Sequence, residues 1–174
     1  LKKKNPNLIG MNVTIPYKKA VIPFLDQISD ESKTIGAVNT ILWDSRGNTI
    51  GHNTDHIGFE KALKEKTNTL PKRALILGTG GASAAVQYSL EKMGCEVLFA
   101  SRNPKPKQYG YDKLESDLMN SIELIVNTTP LGTFPNIEEA PPIPYELIHS
   151  KHLLFDLIYN PIITRFLENG IKKG

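Results

Sequence analysis

Three of the four residues in Gly78-Thr79-Gly80-Gly81 are glycine, and they stand between an apolar run and a stretch of helical composition that begins at Ala82. Glycine permits the sharp turn and the close backbone approach that a pyrophosphate requires, and the free N–H groups at a helix start attract that anion. A tight strand-to-helix turn uses glycine for steric reasons too; it is the pair of correct flanks that points to a dinucleotide. The next apolar run ends in Ala100-Ser101-Arg102-Asn103. A carboxylate at that place would accept hydrogen bonds from a ribose 2′-hydroxyl. Arg102 instead offers a planar, permanently charged fork that suits a 2′-phosphate, so the expected cofactor is NADP; the alternative is a solvated surface arginine.

Other reactive residues exclude more than they suggest. His52 and His56 share a helical spacing with Asp55 nearby, but His52 precedes the helix cap and no third ligand is in view, so no metal is expected. Cys95 is the one cysteine, which rules out an internal disulfide and fits a reducing compartment, the cytoplasm. A net charge of +3, with lysines scattered except at the two ends, is too mild for a nucleic-acid partner. No apolar run approaches the roughly 20 residues that a bilayer span needs, and Leu1-Lys2-Lys3-Lys4-Asn5-Pro6 lacks a signal-peptide core, so no membrane is expected. The first residue is leucine, so the chain reads as part of a longer protein.

The elements that must hold these residues follow from periodicity. Residues 11–15 alternate as a short strand, and Pro16 stands where proline suits a helix's first turn, with Lys18 and Lys19 in that turn. Residues 37–43 and 49–52 read as strands joined by the turn-rich Asp44-Ser45-Arg46-Gly47-Asn48. Thr54 is a good N-cap for a helix whose apolar face is Ile57, Phe59, Ala62 and Leu63, ending near Lys66. The polar stretch Thr67-Asn68-Thr69-Leu70-Pro71-Lys72 sets a domain boundary near residue 70. Beyond it, residues 74–77, a helix over 82–93, Gly94 as its stop and residues 97–100 form a βαβ unit, extended by apolar runs at 124–126 and 153–155. The fold class is α/β: a substrate-binding part over residues 1–70, then a Rossmann-like, doubly wound parallel sheet over 71–174.

Asn12-Val13-Thr14-Ile15-Pro16-Tyr17-Lys18, Gly36-Ala37-Val38-Asn39-Thr40 and His52-Asn53-Thr54-Asp55 closely resemble the shikimate dehydrogenase family. The resemblance continues through the glycine loop, Ser101-Arg102-Asn103, Asn127-Thr128-Thr129-Pro130-Leu131-Gly132 and Phe155-Asp156-Leu157-Ile158-Tyr159, so it covers essentially the whole chain. It implies an NADP-dependent oxidoreductase that interconverts 3-dehydroshikimate and shikimate, as a monomer or homodimer. It implies Lys18 and Asp55 as the catalytic pair, Thr14, Asn39 and Tyr159 at the substrate, and Gly78, Gly80, Gly81, Ala82, Ser101, Arg102, Asn103 and Thr128 at the cofactor. The chemistry agrees: hydride addition to a ketone builds negative charge on oxygen, which an ammonium stabilises and protonates while a carboxylate orients it. Without the resemblance, such a lysine and aspartate would read as surface and capping residues.

Three departures from the family pattern stand out. Its serine pair would lie upstream of Leu1, its late glutamine would follow Gly174, and its frequent second arginine is replaced here by Lys105 or Lys107. Two rival readings are a quinate/shikimate dehydrogenase, which Arg102 disfavours, and a nucleotide-binding module without catalysis, which has no use for a proton donor.

Overall fold

The computed structural model describes residues 5–174; residues 1–4, with the Lys2-Lys3-Lys4 run, lie outside the described residues. The first sheet contains β1 (Gly10–Asn12), β2 (Gln27–Ile28), β3 (Thr40–Trp43) and β4 (Thr49–His52), in the order β1-β3-β4-β2. β3 and β4 are an antiparallel hairpin with Thr40 opposite His52. Its turn is organised by Asp44, whose Oδ1 accepts from the amides of Arg46 and Asn48 at 2.8 Å each, while Gly47 takes φ 87°. This register brings Asn39, just ahead of β3, beside the Asn53-Thr54-Asp55 segment that leaves β4.

The expected helix at Pro16 does not form. Residues 15–21 make successive turns and end in a 3-10 turn at Ile22–Phe24. The amide of Val21 does reach the carbonyl of Tyr17 at 3.0 Å, but Pro23 has no N–H to continue the ladder. The strand expected from residue 37 begins at Thr40, because residues 36–39 cross over toward the site. A helix absent from the expectation, α1 (Asp30–Ile35), is capped by Ser29, whose hydroxyl accepts from the Ser32 amide, and closes at Gly36 with φ 68°.

The second sheet is wholly parallel: β5 (Arg73–Leu77), β6 (Glu96–Ala100), β7 (Leu124–Asn127) and β8 (Leu153–Asp156), ordered β6-β5-β7-β8. Only its central strands are buried on both faces. Ala74 and Ile76 join Val86, Leu90, Leu124 and Val126 in one core, while Leu75 and Leu77 join Ile125, Met119 and Phe166 in the other. Helices α3 (Gly81–Lys92), α4 (Ser116–Asn120) and α5 (Arg165–Ile171) cover the sheet. Helix α2 (Asp55–Lys66) buries His56, Phe59 and Leu63, and its Phe59 and Leu63 belong to the same core as Ile76 and Val86. Ile57, expected on that apolar face, is 58% exposed, since residues 56, 59 and 63 share one side of a helix. Asp55 is therefore fixed at the start of a helix rooted in the second sheet, while Lys18 rides on a loop of the first. Among the described residues no helix is long and apolar enough to cross a membrane.

The turn leading into β8 contains a pH-sensitive histidine, His152. His149 and His152 stack with ring centroids 4.0 Å apart; Nδ1 of His152 accepts from the His149 amide at 3.1 Å, so Nε2 carries the proton and donates to the Met119 carbonyl at 3.0 Å. Burial, above all, lowers the His152 pKa from its ordinary value. The unfolded chain takes up this proton first as pH falls, so the contribution is present above about pH 6.5 and lost as pH falls through the lower folded value. The urea midpoint should drop between about pH 8 and about pH 5, and His152→Gln should flatten that slope. Parallel slopes in the two proteins would assign the loss to other groups.

Candidate functional site

Lys18 is anchored twice. Its carbonyl accepts from the Val38 amide at 2.8 Å, and its aliphatic stem lies over Gly81, where an added Cβ would stand 3.5 Å from the lysine Cβ. The ammonium donates to Oδ2 of Asp55 at 2.8 Å, and the two side chains are 14% and 32% exposed. The other oxygen of Asp55 accepts from the Asn39 amide at 2.7 Å. Asn39 is itself fully engaged: its Oδ1 accepts from the Thr54 amide at 2.9 Å and the Thr40 hydroxyl at 3.0 Å, and its backbone carbonyl accepts from Val13. Thr54 occupies the cap position of α2, but its hydroxyl is held in hydrogen bonds with Asn39 and makes no cap bond; the capping oxygen is Oδ1 of Asn53, which accepts from Asp55 at 3.0 Å and His56 at 3.4 Å. The result is an oriented ammonium with N–H groups left for an oxygen in front of it.

In front of Lys18, a cleft of about 520 Å³ opens over the glycine loop. The loop lies where the chain leaves β5 and the sheet order changes direction, the usual crevice for a ligand in an open α/β sheet. Gly78 adopts φ 102°, and a Cβ there would press on Oγ1 of Thr128 and Cγ2 of Thr129 at 3.0 Å each, so both the conformation and the space call for glycine. Thr128 donates its hydroxyl to the Leu77 carbonyl at 2.7 Å, tying the ends of β5 and β7 together. Helix α3 starts at Gly80 with no side-chain cap, leaving its first amides facing the cleft. On the far wall Ser101 is 7% exposed, and its Oγ has no partner among the described residues. Arg102 and Asn103 are exposed beside it. An unmatched buried hydroxyl, an uncapped helix start and an exposed guanidinium fit a phosphorylated dinucleotide. Tyr111 also lines this cleft, with its phenol pKa raised by burial and offset by Arg102; it lies past a proline-rich loop that gave no periodic signal.

A second cleft, about 800 Å³, shares Ile15, Lys18, Ala82, Thr128, Thr129 and Pro130 with the first. Thr54 and Asp55 form one wall, and residues 155–160 form the other. Tyr159 stands on its rim, 90% exposed. Thr14 is exposed and lines neither cleft; its carbonyl accepts from Tyr17. Asn39 bears on the cleft through Asp55. His56 is buried with its ring against the edge of Tyr88, while His52 ends β4. Asp156 lines the cleft as well, and burial raises its carboxyl pKa above the ordinary value.

The family model described as "Shikimate dehydrogenase substrate binding domain" matches residues 1–41. The chain is 42% identical to a shikimate dehydrogenase (NADP(+)) of Carboxydothermus hydrogenoformans, over 97% of this chain and 65% of that protein. It is 35% identical, at a TM-score of 0.85, to the crystal structure of shikimate 5-dehydrogenase from Thermus thermophilus in complex with NADP(H) and shikimate, covering 99% of this chain and 67% of that one. A quinate dehydrogenase from Corynebacterium glutamicum in complex with NAD is 28% identical at a TM-score of 0.82, over 97% of this chain and 66% of that one. The chain thus spans somewhat under two thirds of the curated relative's length.

Proposed function

The chain belongs to the shikimate dehydrogenase family, and from that premise we propose that it carries the catalytic and cofactor-binding centre of an NADP-dependent shikimate dehydrogenase. Residues 1–70 form the substrate side and residues 71–174 the NADP side, with α2 linking the two. The observation that carries this reading is the position of Lys18, which lines both clefts and holds Asp55 at 2.8 Å. NADPH, when bound, supplies the hydride. The ammonium of Lys18 hydrogen-bonds to the ketone oxygen of 3-dehydroshikimate and gives it a proton as negative charge develops there. Asp55, oriented by Asn39, holds the ammonium and accepts from a substrate hydroxyl. Gly78, Gly80, Gly81, Ala82 and Thr128 cradle the pyrophosphate, and Ser101, Arg102 and Asn103 take the 2′-phosphate. Tyr159 contacts the substrate from the rim of the larger cleft, which Thr14 does not line. A lone, unpaired cysteine, Cys95, suits the reducing cytoplasm.

The test is reduction of NADP+ by the full-length protein with shikimate, followed by nicotinamide absorbance, with NAD+ and quinate as comparisons. Turnover should require shikimate and favour NADP+. NADP+ binding without turnover would leave a nucleotide-binding module, and equal use of quinate with NAD+ would move the protein to the quinate branch.

A further inference from the structure

We propose that Asp156 is a positioning residue: with Asn127 it clamps the loops that follow β7 and β8 together as one wall of the larger cleft. This rests on the dehydrogenase reading for its effect on turnover, while the clamp itself is a property of the fold.

Asn127 and Asp156 are paired in register at the carboxyl ends of neighbouring strands. Asn127 is wholly buried. Its amide nitrogen donates to both carboxylate oxygens of Asp156 at 3.1 Å, and its oxygen accepts from the amide and hydroxyl of Thr129 at 3.0 and 2.7 Å. Asp156 in turn accepts from the Ile158 amide at 3.0 Å and the Thr164 hydroxyl at 2.6 Å. Thr164 is also buried, and it caps α5 by accepting from the Leu167 amide at 3.3 Å. A polar line therefore runs from the first loop through two strand ends to the start of the last helix. The loops meet again where the Phe134 amide donates to the Asn160 carbonyl at 3.2 Å.

Every neighbour of the carboxylate is a donor, and among the described residues no cation pairs with it. Even partial burial of an anion without a cation is costly, and it is tolerated here because the donors converge on it. A neutral asparagine would turn an N–H toward the Asn127 amide nitrogen, so that in either orientation one of the two Asn127 bonds is lost, and the Ile158 bond is lost or the Thr164 hydroxyl must reverse to accept. Thr129, Phe134, Ile158 and Tyr159 all face the cleft, so the lost bond is felt in the wall that positions the substrate.

The experiment compares Asp156→Asn, Thr164→Val and Thr164→Ser in the full-length protein, by amide hydrogen exchange, NADP+ titration and shikimate oxidation with kcat and KM separated. In Asp156→Asn the amides of Thr129 and Leu167, which do not touch Asp156, should exchange faster together with that of Ile158. The value of kcat should fall by about 10- to 100-fold, the scale expected when reacting groups are slightly misplaced. NADP+ affinity should stay within about threefold. Thr164→Val should follow the same pattern, and Thr164→Ser should restore it. Faster exchange confined to Ile158, or a kcat within about twofold of wild type, would overturn the proposal. If the unmodified protein failed to oxidise shikimate, the functional reading would fall, and exchange together with NADP+ titration would still decide the clamp.

Discussion

Replacing Lys18 with alanine should lower kcat for shikimate oxidation by about 10²- to 10⁴-fold, the range for loss of one acid/base group, with NADP+ affinity nearly unchanged. The surroundings say why the loss should fall on kcat. The ammonium pairs with Asp55, which lines the larger cleft, and the stem does separate work by packing over Gly81 at the start of α3. Lys18→Met separates the two, since it keeps an apolar stem on Gly81 and removes the charge. It should lose as much kcat as Lys18→Ala while holding NADP+ at least as well. Asp55→Asn should damage turnover too, because the amide would lose the pairing with the ammonium and turn a donor toward Asn39 Nδ2 or Lys18 Nζ, now 2.7 and 2.8 Å away. Retention of more than about a third of kcat in Lys18→Ala would remove the proton-transfer role.

The sequence was most legible where one local rule decides the outcome. The glycine loop needs only the conformation of Gly78 and the space beside Thr128, and the βαβ unit is visible because continuous apolar runs flank that loop and its helix, the pattern of a parallel sheet. Asp55 is a harder case: its position at the start of α2 follows from helix composition, but its pairing with Lys18 joins residues 37 apart along the chain. No periodicity reports such a pairing; the family resemblance did. The helix expected at Pro16 failed because a second proline, Pro23, stands within two turns. Composition alone makes Thr54 a capping side chain, and it does mark the cap, yet tertiary contact with Asn39 takes its hydroxyl and leaves Asn53 to cap. Asp156 could be quoted from sequence only as part of a motif. What sets it apart, four hydrogen bonds from three donor groups converging on an anion, comes from Asn127, Ile158 and Thr164 meeting in space.

Arg102→Ala should weaken NADP+ by about ten- to a hundredfold and leave NADH almost unaffected, so the ratio of kcat/KM values for the two cofactors should collapse toward one. The reasoning is one of charge at a fixed place. β6 lies parallel to β5, and its end delivers Ser101, Arg102 and Asn103 to the rim of the cleft whose floor is the glycine loop. A 2′-phosphate brings negative charge and several acceptor oxygens to such a rim, whereas a 2′-hydroxyl brings neither. Each charge-assisted hydrogen bond contributes about 1.5–3 kcal/mol, and because Arg102 is exposed the lower part of that range is expected. Solvent screening also predicts that added salt erodes the NADP+ preference of the unmodified protein while leaving Arg102→Ala nearly flat. Ser101 is the contrasting case: its hydroxyl is buried and has no partner among the described residues, so Ser101→Ala should cost less affinity and respond less to salt. Titrations of both variants with NADP+ and NADH at two ionic strengths measure all of this. Equal weakening of both cofactors in Arg102→Ala, or equal use of NADH and NADPH by the unmodified protein, would show that the guanidinium does not read the 2′-phosphate.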